Sequence, residues 1–419
     1  MAKSVDGNTS SLRILTIAAY YPPSSAAAAI RARNIVRNLR ELGHDVVVIT
    51  ARTNDDGTGT PPTETHPVAW LDIHELAKSR LRASAPHAGA AAEPAPYWQK
   101  SLRTLAARVI VPDLHAPWIP PATVRASHFV GASDLVLSTG AASAHVVARL
   151  VRRGRPWIAD INDLWWRSPH RKAGVVRKRI DWHVERGIVA SATALTVPND
   201  ALGAEIHARF GRAPATVFTG FDRSEFNLPT DTAPTSTREI VFAGTLYADF
   251  PLSVLLETLA RGRDGRGWSS SKIRAVFIGT GAGDAVSEAR RYGVDEFVDA
   301  VPTMPRRDLL RRLGAADALL FPLYPSDPHH LPMRFFDFVG SARPMIGVGS
   351  AAAPGAKMIE RHSLGVVCST ADELLSVLDD LVRTGRGADL PPQMQGVFEL
   401  GSARPALQEV LERVTARAP

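Results

Sequence analysis

The chain has 419 residues, 45% hydrophobic and 22% charged, an ordinary globular composition with apolar material for two or three domains. The formal net charge is +7, but it comes from seven lysines and 42 arginines spread along an alanine-rich chain. No recognisable nucleic-acid module gathers them, so no nucleic-acid partner is expected. The one cysteine, Cys368, leaves no internal disulfide, which fits a reducing compartment. No Cys/His spacing suits a metal, the polar start MAKSVDGNTSSLR lacks a signal-peptide core, and no apolar run is long enough to span a bilayer. The expectation is a cytoplasmic enzyme, with contact at the inner face of the membrane left open, and with no metal and no cofactor.

The first elements read as a β-α-β unit. LRILTIAAY is a short apolar strand, and AAAAIRARNIVRNLRELG places Ile30, Ile35 and Leu39 at helical spacing with Gly43 as the stop. DVVVIT follows as a β-branched strand. Further strands are expected at PVAWL, DLVLST, PWIAD and ATALTVP, with helical segments between most of them. Such alternation argues a parallel sheet covered on both faces. The pattern breaks over 72–133, where a low-complexity stretch, ASAPHAGAAAEPAP, precedes an apolar segment with two tryptophans. That segment reads as a helical hairpin on its own domain, or else as an insertion facing substrate or membrane.

A linker is expected over 226–237, which takes in most of LPTDTAPTSTR. A second α/β series follows, with strands at EIVFAG, IRAVFIG, EFVDAV, ALLFPL, PMIGVG and GVVC. The expected domains are 1–225 and 238–395, with a last helix in 396–419 packing back on the first domain. Ligands of open parallel sheets bind beyond the strand C-termini, so function is sought in the loops that follow strands.

After the first strand, Pro22 and Pro23 stiffen the turn, and Ser24 or Ser25 is placed to cap the helix. Arg31 and Arg33 sit in or near the first turns, facing either an anionic ligand or solvent and the core border. Asp160 ends the strand PWIAD, and Asp163 either faces the ligand side or caps the next helix. His145 lies inside the helix after STGAASAH, with structural and functional readings equally open. In the second series, VFAGTL brings Gly244 and Thr245 to a turn able to offer N–H groups and a hydroxyl to phosphate. FIGTGAGDAV has Gly279, Gly281 and Gly283, but Asp284 stands where a dinucleotide fingerprint needs its last glycine, which disfavours an oxidoreductase. The basic stretch RSPHRKAGVVRKRIDWHVER reads as a solvated helix face, with contact to anionic membrane as the other reading. The segment HHLPMRFFDFVGSARPMIGVG sets one acid, Asp337, among three phenylalanines ahead of a strand.

Taken in order, these pieces resemble the GT-B glycosyltransferases of family four, over nearly the whole chain. The opening through ELGHDVVVIT is similar to the family's first β-α-β unit, and PWIADINDLW to its Asp-x-Arg-Asp-Leu-Trp segment, with Asn162 for the arginine. FTGFDRSEF resembles the family's inter-domain Asn-Gly-Val-Asp-x-x-x-Phe element, with Thr219 for asparagine. PMRFFDF resembles Pro-x-Lys-x-x-Glu-Tyr ahead of a Gly-x-Pro-Val-Ile strand.

The resemblance implies two Rossmann-like α/β domains whose parallel sheets face across a cleft, and retaining transfer of a sugar from a nucleotide-diphosphate sugar to a hydroxyl or amine. It implies that Asp337 accepts hydrogen bonds from ribose hydroxyls. Arg334 then meets the diphosphate or sugar, and His329, His330, Leu331, Pro332 and Met333 border the sugar, with Gly244, Thr245 and Gly279 beside the phosphates. Phe335, Phe336 and Phe338 are expected to be core. Asp163 and His145, with Arg334, are the candidate catalytic residues, and Ser24, Ser25 and Arg31 the candidate acceptor contacts. Two departures stand out. His329 replaces the first of two acids common in relatives, and Gly244-Thr245 with Phe250-Pro251 replaces their Gly-Arg…Lys-Gly clamp. No Asp-x-Asp occurs, in keeping with metal-free transfer. The acceptor stays open among lipid-linked saccharides, glycans and small aglycones. The rival readings are a nucleotide-sugar 2-epimerase of the same architecture and an inactive relative that binds ligand or a partner.

Overall fold

The structure is a computed structural model that describes residues 11–24, 26–52, 64–70, 110–166, 174–228, 236–325, 329, 331–385 and 389–416. The chain divides into two compact units, Met1–Val217 with Arg404–Pro419, and Phe218–Ala403. The first unit closes before residue 225, and the second runs on past 395.

The first unit holds a seven-stranded parallel sheet in the order β3-β2-β1-β4-β5-β6-β7. Its strands are β1 (Arg13–Ala18), β2 (Asp45–Ala51), β3 (Thr65–Val68), β4 (Leu135–Thr139), β5 (Trp157–Asp160), β6 (Ala194–Val197) and β7 (Ala215–Thr216). Alternate side chains feed two cores. Leu15, Ile17, Val47, Ile49 and Val136 pack on one face, while Ile14, Val46, Val48, Leu135 and Leu137 pack on the other. Because both faces are covered, the strands read as unbroken apolar runs. The last helix, Arg404–Thr415, covers the second face with Val410, Leu411 and Val414. Arg404 ties it to the first helix, Ala27–Glu41, by donating to Asn38 and Glu41.

The second unit holds a six-stranded parallel sheet in the order β10-β9-β8-β11-β12-β13. These strands are β8 (Arg238–Ala243), β9 (Ile273–Ile278), β10 (Val298–Val301), β11 (Ala318–Leu323), β12 (Met345–Gly349) and β13 (Gly365–Cys368). Val241, Val276, Leu319 and Phe321 point to one core, and Ile240, Phe242, Ala275, Phe277 and Leu320 to the opposite one. The helix Ala371–Thr384 starts in a capping box, in which Thr370 accepts from the Glu373 N–H and the Glu373 carboxylate accepts from the Thr370 N–H. The strand order reverses at β8 and β11, and all six strands end on the same edge. That edge is where such sheets place ligands.

The expected strands are present, with two differences. The strand sought at PVAWL is shifted back to Thr65–Val68. The two-residue β7 was not expected, since RAPATV carries a proline and too short a β-branched run to mark a strand. Most of the irregular 72–133 region lies outside the described residues. Its last part forms the helix Ile119–Val130.

Candidate active site

On the first unit, Asp160 sits at the end of β5, sealed from solvent. Its carboxylate accepts from Arg31 Nη2 at 2.5 Å and Nε at 2.9 Å, from Thr139 Oγ1 at 2.6 Å and from Thr196 Oγ1 at 2.7 Å. Arg31 also donates to Val217 O at 2.8 Å and to Asn162 Oδ1 at 3.0 Å. A buried charge must be paired and hydrogen-bonded, and this network meets that demand from β4, β5, β6 and the first helix. Arg31 is therefore not an acceptor contact: it is 1% exposed and its guanidinium faces Asp160.

His145 is likewise not placed for catalysis. It is fully buried, with Nδ1 2.8 Å from Ser138 Oγ, and that hydroxyl oxygen accepts from Trp157 Nε1 at 2.8 Å. Burial pushes its pKa down to about 4, against the opposing pull of Asp160 and Asp113, so the ring is neutral near pH 7. Asp163 lies in the exposed loop after β5, and no helix forms over 161–166 for it to cap. Ser24 is buried and its Oγ accepts from the Ala26 N–H at 3.3 Å, just ahead of the helix. Ser25 lies outside the described residues.

On the second unit, the loops after β8 and β9 brace one another. Gly244 and Gly279 have φ of 149° and 125°, a region that favours glycine. A Cβ on Gly279 would lie 2.3 Å from Gly244 O, so no side chain fits between the loops. The Gly244 N–H donates to Ile278 O at 2.9 Å and the Gly279 N–H to Val301 O at 3.0 Å. These two amides thus belong to the sheet and cannot serve phosphate, a correction to the sequence expectation. The donors that remain are their neighbours. Among the described residues the N–H groups of Thr245, Thr280 and Gly281 make no hydrogen bond. The last two lead into the N-terminus of the helix Ala282–Arg291. A helix start with open amides favours an anion.

The short helix Arg334–Gly340 enters from the same edge between β11 and β12. Phe335, Phe336 and Phe338 are all buried and pack with Phe321 and Phe398, which fixes the helix on the sheet. Asp337 then lies against two arginines. Arg334 Nη1 donates to Oδ2 at 2.7 Å, and Arg306 Nη2 donates to Oδ1 at 2.9 Å. Arg306 opens the helix Arg306–Ala315 after β10 and also donates to Glu225 Oε2 at 2.6 Å. Burial opposes the Arg306 charge, but Asp337 and Glu225 outweigh it and hold the guanidinium firmly protonated. The Asp337 side chain is 9% exposed and those of both arginines are 30% exposed. A carboxylate has about four acceptor positions, and the arginines take two of them.

Around this cluster, Leu331 is buried, while His329, Pro332 and Met333 are half-buried. Met333 Sδ accepts from Thr219 Oγ1 at 3.4 Å. His330 lies outside the described residues. Glu225 belongs to the segment FDRSEF, where Asp222 caps a 3-10 turn over Arg223–Phe226 and Phe226 lies against Gly340. Arg306 and Glu225 were not singled out from sequence. Arg306 is one of four arginines in RRDLLRR, and nothing in the helical pattern separates it from its exposed neighbour Arg307.

Residues 26–220 match the family model described as the glycosyl transferase 4-like domain. Solved structures match the chain end to end. Sucrose-phosphate synthase from Thermosynechococcus elongatus is 13% identical, with a TM-score of 0.63 over 97% of this chain and 99% of that one. WaaG, a glycosyltransferase involved in lipopolysaccharide biosynthesis, is 14% identical, with a TM-score of 0.54 over 97% and 98%. An E. coli trehalose-6-phosphate structure bound with UDP-2-fluoro glucose is 10% identical, with a TM-score of 0.59 over 96% and 99%. No curated protein sequence matches the chain. The chain carries a glycosyl transferase 4-like domain over residues 26–220, and as a whole it shares the GT-B fold of these structures. No helix among the described residues is long and apolar enough to cross a membrane.

Proposed function

We propose that the protein transfers a sugar from a nucleotide-diphosphate sugar to an acceptor hydroxyl or amine with retained anomeric configuration. The donor occupies the strand-end edge of the second unit. The observation that carries this reading is the Asp337 carboxylate, held between Arg334 and Arg306 at that edge with two acceptor positions to spare. Ribose offers two adjacent hydroxyl donors to them. The bound UDP-2-fluoro glucose in the E. coli relative supports a nucleotide-sugar donor for this fold.

In the reaction the C1–O bond to the diphosphate breaks while the acceptor oxygen or nitrogen bonds to C1. Negative charge grows on the leaving phosphate. Preorganised N–H dipoles and a cation lower the barrier most where that charge develops. The open amides of Thr245, Thr280 and Gly281 serve the phosphates, and Arg334 adds the positive charge that the absent Arg/Lys clamp does not supply. Leu331, Pro332 and Met333 border the sugar, with His329 ahead of them. The acceptor proton passes to a leaving phosphate oxygen. On the first unit, Asp163 contacts the acceptor, with Ser24 shaping the turn beside it. The acceptor is a saccharide, lipid-linked or free, or a small aglycone, used in glycan, glycolipid or natural-product assembly.

Titration calorimetry with UDP-, GDP- and dTDP-sugars tests the donor reading, followed by acceptor trials with the tightest binder. One of these donors should bind wild type and lose most of its affinity in Asp337→Ala. Unchanged affinity in that variant overturns the assignment. Interconversion of the sugars without acceptor would instead mark an epimerase.

A further inference from the structure

The helix Val175–Ser191 of the first unit has a one-sided charge distribution. Its two acids both point inward. Asp181 accepts from Arg177 Nε at 2.9 Å, and Glu185 accepts from the Trp165 N–H at 2.9 Å. Both acids are buried, as is Arg177, which also donates to the Ile110 and Pro112 carbonyls. The outward face keeps no negative charge. It presents Lys178, Arg179 and Arg186, all exposed, and among the described residues none of the three has a carboxylate partner. Between them stand aliphatic side chains in water: Val175 is 74% exposed, Val176 73% and Ile180 39%. At 3.6 residues per turn, Val175, Arg179 and Arg186 share one line, with Val176 and Ile180 about 80–120° round on one side of it and Lys178 about 80° round on the other.

We infer that this face docks the protein on an anionic lipid bilayer. Unpaired cations alone would suit any polyanion. The interleaved valines and isoleucine narrow the choice, because aliphatic groups gain by entering the acyl boundary. The helix begins on the edge where the strands of the first sheet end, following the loop that carries Asp163. Docking there brings the bilayer surface to the acceptor half of the protein and favours an acceptor carried on lipid. The bilayer contact itself does not depend on the donor reading.

Co-sedimentation with vesicles tests it. The whole chain should pellet with phosphatidylcholine vesicles containing phosphatidylglycerol and stay in solution with phosphatidylcholine alone. Lys178→Gln/Arg179→Gln/Arg186→Gln should lower the partition coefficient about a hundredfold. Val175→Ser/Val176→Ser should lower it about tenfold while keeping all three cations. Nucleotide-sugar affinity, measured on the same samples, should match wild type in both variants, which reports an intact fold and separates this test from the donor assignment. The proposal falls if wild type ignores anionic vesicles, or if the triple glutamine variant still pellets with them. Wild-type partition in the serine variant would also overturn it, since a purely ionic face fits a nucleic acid or an acidic protein equally well.

Discussion

Arg306 Nη2 lies 2.9 Å from Asp337 Oδ1, joining the helix that follows β10 to the helix that precedes β12. The same guanidinium holds Glu225, so its position is fixed from two sides and Asp337 inherits that fix. Arg306 thus orients the carboxylate that the proposed function gives to ribose. Arg306→Met should raise the nucleotide-sugar Kd about tenfold, the worth of one hydrogen bond to a charged group. Arg306→Lys, which keeps the charge but cannot hold both acids in one planar fork, should recover part of that loss. Calorimetry on both variants checks this, and wild-type affinity in the methionine variant would remove Arg306 from the site.

Asp337→Ala should cost more than Arg306→Met, because it deletes both ribose acceptors. A loss of about 3 kcal/mol is expected, roughly a hundredfold in Kd. The fold should survive, since the phenylalanines that seat the helix remain. Asp337→Asn keeps one acceptor oxygen and should fall between. A thermal melt beside each binding curve separates lost contacts from lost structure.

Much of this was readable from the chain alone, for physical reasons that differ by element. Strands buried on both faces, such as VVVIT in β2 and IVFA in β8, leave an apolar signature that needs no tertiary knowledge. Asp337 was legible because an acid among phenylalanines contradicts the surrounding pattern. Arg31 and His145 were misread because residue type and loop position carry no record of burial. Only the folded chain sets Arg31 against Asp160, from another strand, and closes the core over His145. Arg306 and Glu225 were invisible for the converse reason: each is an ordinary charged residue in a helix or turn, and their meeting is long-range. Likewise the N–H groups of Gly244 and Gly279 looked open until pairing with neighbouring strands consumed them.

The Arg31–Asp160 pair carries a prediction about stability rather than chemistry. Arg31→Met leaves a buried carboxylate with no cation, and about 3–5 kcal/mol should be lost. Arg31→Met/Asp160→Leu removes both charges and should be less destabilised than Arg31→Met, although Thr139 and Thr196 each lose an acceptor. Urea denaturation of the three proteins checks the order. Donor affinity should be unchanged in each variant that stays folded, because the pair lies in the first unit.

Asp163 should report on the acceptor alone. It is exposed, so Asp163→Asn should leave the melting temperature within about 0.5 kcal/mol of wild type in equivalent stability. Nucleotide-sugar Kd should also stand. Acceptor KM, or kcat at saturating donor, should suffer about tenfold or more once an acceptor is in hand. Kinetics with each substrate varied in turn distinguish the two, and wild-type rates throughout would take Asp163 out of the acceptor site.

His145 gives the fold a pH dependence with a definite sign. Burial lowers its folded pKa to about 4, while the unfolded chain protonates near the ordinary histidine value of about 6.5. Between those values the unfolded state binds more protons, so stability rises with pH. The contribution is complete above about pH 6.5 and is lost progressively as the pH falls towards 4. The span corresponds to about 3 kcal/mol. His145→Gln has no such titration, and its urea midpoint should fall less steeply than that of wild type across this window. Equal slopes in the two proteins would mean that the imidazole is protonated inside the folded chain, and that Ser138 Oγ accepts from it rather than donating to it.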